Sequence, residues 1–89
     1  MKIDVTLPGL IADSVGWRHL TIDADTVADA LMALRKHPQV GPLVFDDAGR
    51  VRQHVLVFHN DTATKHMDSL DVPLKPGDRI AVVQAVSGG

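Results

Sequence analysis

The chain has 89 residues, 45% of them hydrophobic, with three aromatics (Trp17, Phe45 and Phe58) and no cysteine. This length allows one small core, and the missing cysteines exclude disulfides, zinc–thiolate sites, iron–sulfur clusters and a thiol nucleophile. Eleven acidic residues, all aspartate, face nine lysines and arginines for a net charge of −2, a balance that argues against a nucleic-acid partner, which would require a basic face.

Ile3, Val5 and Leu7 alternate with Lys2, Asp4 and Thr6, the period-two pattern of a half-buried strand. Met1-Lys2-Ile3-Asp4 enters that pattern directly, without the apolar core of a signal peptide, and no apolar run reaches membrane-spanning length. The expectation is a cytoplasmic protein with no membrane partner. Pro8-Gly9 and Gly16 mark a turn region, after which Trp17 to Ile22 alternates again and is expected to form an antiparallel hairpin with the first strand.

A helix is predicted from Thr26 to about His37. Thr26 or Asp25 caps its start, and Val27, Leu31 and Leu34 share one face. Asp29 in the first turn and Arg35, Lys36 and His37 in the last complement the helix dipole, and Pro38 forbids continuation. In residues 39–52, Gly41-Pro42 and Asp46-Asp47-Ala48-Gly49 are turn signals, and Leu43, Val44 and Phe45 are expected to plug an edge of the core. Gln53 to His59 reads as a strand, Ala63 to His66 as a short edge strand, and Arg79 to Ala85 as a continuous apolar central strand. The order implies an α+β fold: a ubiquitin-like β-grasp in which a mixed sheet of four to five strands packs on one main helix. Residues 1–89 are expected to form a single domain, with 86–89 as a flexible reactive tail.

Conventional catalytic patterns are missing. The histidines at 19, 37, 54, 59 and 66 make no HExxH or HxH spacing, and His54 and His59, five apart on one predicted strand, point to opposite faces. The expected metal site is therefore none. Ser14, Ser69 and Ser87 stand in no nucleophile motif, and the glycines form neither GxGxxG nor a phosphate loop, so no bound cofactor is expected. A chain this short rarely walls a deep cleft, which puts carrying or binding ahead of catalysis.

Two features point to partners. If Val55 and Val57 face the helix, alternation sends Leu56 and Phe58 to the open side of the sheet, and likewise Val83 with Ala81 in the last strand. Together with Val86 they would form an apolar patch of the kind that marks a protein partner, unless residues 39–52 fold over it. The second feature is the sequence Ala85-Val86-Ser87-Gly88-Gly89 directly after the apolar strand. Glycines without side chains thread a narrow channel and can deliver a carboxylate to a partner's active site.

These residues carry a resemblance. Thr26-Val27-Ala28-Asp29-Ala30-Leu31, His59-Asn60-Asp61, and above all Leu74-Lys75-Pro76-Gly77-Asp78 followed by an apolar strand and Gly88-Gly89 resemble the MoaD/ThiS family of ubiquitin-like sulfur carrier proteins. The resemblance implies that an E1-like adenylyltransferase (MoeB/ThiF-like) uses ATP to adenylate the carboxylate of Gly89. A sulfur donor then makes the thiocarboxylate, and a downstream synthase takes the sulfur for a molybdopterin-like cofactor or another metabolite. It implies a co-substrate rather than an enzyme, with Leu56, Phe58, Val83, Val86 and Ser87 against the partners. Gln84-Ala85 departs from the paired prolines common in molybdopterin-synthase small subunits, while the 39–52 insert favours the MoaD-like branch over thiamine-pathway carriers. The alternatives are a β-grasp interaction subunit that never uses its tail, and a ubiquitin-like modifier joined to target lysines.

Overall fold

A computed structural model describes residues 1–84. Five strands and three helices follow one another as β1 (Lys2–Thr6), α1 (Gly9–Val15), β2 (His19–Asp23), α2 (Val27–Lys36), α3 (Gly41–Val44), β3 (Val55–His59), β4 (Thr62–Ala63) and β5 (Arg79–Gln84). The sheet order is β2-β1-β5-β3-β4, with β1 parallel to β5 and the other pairs antiparallel. This is the expected mixed sheet with its first and last strands side by side at the centre.

Strand alternation builds the core. Ile3 and Val5 of β1, Val55 and Val57 of β3, and Ile80 and Val82 of β5 are buried against Val27, Ala30 and Leu34 of α2. Burying each such side chain contributes roughly 1.5–3 kcal/mol. The start of α2 is satisfied as the sequence foretold: Thr26 Oγ1 accepts the Asp29 amide at 3.1 Å, a cap that contributes about 1 kcal/mol. A distant segment supplies the rest. The Val27 and Ala28 amides donate to the carbonyls of Val72 and Leu70 at 3.0 and 2.9 Å, so the polar stretch after β4 closes the helix end. His37 ends α2; its ring Nδ1 accepts the Gln39 and Val40 amides, and Trp17 packs edge-on against it.

Several local expectations are corrected. The region read as a turn between Pro8 and Gly16 holds α1, whose Ile11 and Ala12 are buried and whose end is a left-handed Gly16 at φ 91°. The spacing 11, 12, 15 followed by glycine is a helical stripe with its C-terminal stop, obscured by Pro8-Gly9 at its start. The second strand begins at His19 rather than Trp17.

Gly41-Pro42 opens α3 instead of a turn, with proline in the first helical turn where its missing amide costs nothing. There a Cβ on Gly41 would collide with the Arg35 carbonyl at the end of α2. Because neighbouring helical residues point about 100° apart, α3 buries Val44 and leaves Leu43 37% exposed; Phe45 is buried as expected.

Finally, β4 is only Thr62–Ala63, and Thr64–His66 is a 3-10 turn closed by the Met67 amide on the Thr64 carbonyl. His54 precedes β3, so the two-face argument for His54 and His59 on one strand does not hold. No helix among the described residues is long and apolar enough to cross a membrane.

Candidate functional site

The candidate docking face is the side of the sheet away from α2. Register fixes its rows: Leu56 lies opposite Val83, and Phe58 opposite Ala81 and Ala63, with Thr6 beside Ala81 from β1. Leu56, Phe58 and Ala81 are half-buried and Val83 is 42% exposed. The structure therefore brings Leu56, Phe58 and Val83 together on one surface. The 39–52 segment does not close over them. Val44 and Phe45 join the core on the helix side, and Phe45 bridges to Val51 across the turn made by Asp46 to Arg50. Val86, Ser87, Gly88 and Gly89, the remaining predicted site residues, lie outside the described residues.

The two ends of β5 differ in chemistry. At its start, Asp78 follows a turn in which Gly77 has φ 90° and the Asp78 amide donates to the Lys75 carbonyl at 3.0 Å. The Asp78 carboxylate accepts from the Lys75 amide at 3.0 Å and from Asn60 Nδ2 at 3.1 Å, and pairs with His59 Nε2 at 3.0 Å. Asn60, left-handed at φ 52° in the two-residue turn from β3 to β4, returns the link: its Oδ1 accepts the Arg79 amide at 2.9 Å. These hydrogen bonds, from His59 first and then Asn60 and the Lys75 backbone, hold the Asp78 carboxyl down to about 2. The His59-Asn60-Asp61 and Leu74-Lys75-Pro76-Gly77-Asp78 stretches are thus two halves of one clamp, a contact that their separation in sequence hides.

Toward its other end β5 is described as far as Gln84, which lies opposite Val55. That is about 17 Å from the clamp, at roughly 3.3 Å per residue. The clamp fixes where the central strand begins. His59 and Asp78 stand at the opposite end of the strand from Gln84, where their contacts position the strand. Among the described residues no group of three or more His and Asp side chains is placed to hold a metal ion. What the described site offers chemically is an apolar, partly exposed face on a strand held in place by the clamp.

Comparison with known proteins matches this geometry. The ThiS family model covers residues 5–89. Small archaeal modifier protein 3 of Haloferax volcanii is 35% identical over 79 residues, spanning 85% of this chain and 80% of the relative. The crystal structure of SAMP1 from Haloferax volcanii superposes with a TM-score of 0.78 at 33% identity over the full length of both chains. A subunit in the complex of subunits 1 and 2 of the Helicobacter pylori molybdopterin-converting factor shares the fold, with a TM-score of 0.66 at 22% identity, again over the full length of both. With its β-grasp sheet, its clamped central strand and a family match through residue 89, the chain belongs to the ThiS family, the MoaD/ThiS group of ubiquitin-like carriers and modifiers that are not themselves enzymes.

Proposed function

We propose that the protein carries sulfur on the carboxylate of Gly89. An E1-like enzyme joins that carboxylate to ATP, releasing pyrophosphate and leaving an acyl-adenylate; sulfide from a sulfur donor displaces AMP to give the thiocarboxylate. A downstream synthase then takes the sulfur for a cofactor of molybdopterin type or another sulfur metabolite. On this reading the carrier works in the cytoplasm, where its activating enzyme draws on ATP. The observation that carries this reading is the family match, which runs through Gly88-Gly89. The exposed Val83, next to half-buried Leu56 and Phe58, supports docking of the activating enzyme and synthase on the open face.

A second reading is favoured by the 35% identical relative, which is named a modifier. In that branch a target lysine displaces AMP from the same adenylate and an isopeptide bond forms. Intact-mass measurement after incubation with the cognate E1-like enzyme, ATP and sulfide separates the outcomes. Replacement of one oxygen by sulfur on Gly89 supports the carrier, and lysine-linked conjugates in extract support the modifier. An unchanged chain with an enzyme active on another carrier overturns both. Deleting Gly89 abolishes either product without altering the melting curve, whereas Val83→Asp slows activation and leaves the chain end chemically intact.

A further inference from the structure

A cluster of positive charge stands at the β3 edge of the sheet, around a groove that shares Leu56 with the open face. A groove of about 590 Å³ runs between α2 and β3. β4 pairs only with Phe58 and His59, so among the described residues no strand lies beyond Val55 to Val57 on that side of the sheet. Leu31, Val51 and Leu70, all half-buried, give the groove an apolar floor. Arg35, Arg50, Arg52 and Lys65 stand around it, and no carboxylate lines it.

In a chain of net charge −2, four cations around one groove are a marked local excess, although the Asp46 carboxylate lies near enough to feel the charges of Arg50 and Arg52. None of the four makes an ion pair among the described residues. The neighbouring Asp46 is turned to its own loop, where its Oδ1 accepts the Ala48 and Arg50 amides at 2.9 Å. Arg52 donates through Nε to the Pro42 carbonyl at 3.0 Å, which steadies α3, while Arg50 and Lys65 are exposed.

An apolar floor with a cationic rim selects a ligand that is aliphatic and anionic at once. A single-stranded nucleic acid would want an exposed aromatic platform, and the one aromatic here, Phe45, is buried. A concave groove does not lie flat on a membrane. We propose that this groove docks an extended segment of a partner protein bearing alternating aliphatic and carboxylate side chains. The inference is independent of the chemistry of Gly89.

The test is a titration of the isotope-labelled full chain with an acetylated hexapeptide of alternating leucine and glutamate, followed by amide chemical shifts. The same peptide with lysine for glutamate is the control. Shifts are expected at Ala28, Leu31, Thr64 and Lys65, with affinity falling on the order of tenfold when salt rises from about 50 to about 500 mM. Arg50→Glu and Lys65→Glu, each at an exposed position, are each expected to weaken binding on the order of tenfold, with unchanged melting midpoints. The proposal is overturned if the glutamate peptide causes no shifts, if its shifts map to Phe58 and Val83, or if the lysine peptide binds equally well. A tenfold gain for a chain ending at Gln84 would assign the groove to residues 85–89 instead. Concentration-dependent dimerisation that Arg50→Glu abolishes would assign it to a second copy; either result displaces the partner segment.

Discussion

Along β3 and β5, aliphatic residues occupy both faces of the sheet, yet Val82 is 3% exposed and Val83, the next residue, is 42% exposed. The residue type and strand are the same; only the side differs. Helix α2 covers one face, and among the described residues no second layer covers the other. An unbroken apolar run in a central strand is what a strand buried on both faces would show. Here it reports one face packed and one face kept apolar, as a surface used by a partner would be.

The contrast breaks most sharply at the buried side. Ile80→Asp places a carboxyl in the core, where Ile80 has no exposed surface and no partner for a charge. The expected loss exceeds about 4 kcal/mol, and chemical denaturation should find the chain largely unfolded without denaturant.

A second change addresses what holds the two faces in register. Asp78 ionises at about 2 instead of its ordinary 3.8. Because the folded value is the lower one, its contribution is fully present above pH 3.8 and is lost as pH falls toward 2. Asp78→Asn is expected to lower the melting midpoint at neutral pH, since the neutral side chain serves His59, Asn60 and the Lys75 amide less well. It should also flatten the wild-type decline between pH 4 and 2; a decline as steep as that of the wild type would show that the clamp does not couple to this proton.

The smallest effect is expected at the open side. Val83→Thr keeps the β-branch and adds a hydroxyl that water reaches, so its stability should stay within about 0.5 kcal/mol of wild type by thermal melting. A larger loss would mean that the open face is covered within the chain.

Legibility in the sequence followed the range of the interaction. The α2 cap, its apolar stripe and its stop at Pro38 are local, and each appears where the residues placed it. Helix α1 was hidden because its turn-forming Pro8-Gly9 outweighs a stripe of only seven residues. The open-face trio was legible because strand alternation is a rule of period two that survives small errors in strand ends. Leu43 was misplaced for the opposite reason: an unrecognised helical turn changes the period, and with it which side chain faces inward. The basic groove gave no signal, since Arg35, Arg50, Arg52 and Lys65 come from three separate segments.

The sequence by itself determined the class of fold, the split of apolar residues between two faces, and the family motifs at positions 59–61, 74–78 and 88–89, because these rest on periodicity and on residues close in the chain. Only the tertiary structure decided that the first two motifs form one clamp through Asp78, that residues 70 and 72 complete the start of α2, and that no described segment covers the open face. The clamp and the helix start depend on which distant side-chain and backbone groups satisfy one another's hydrogen bonds, and the uncovered face on where the 39–52 segment packs; no local pattern encodes either.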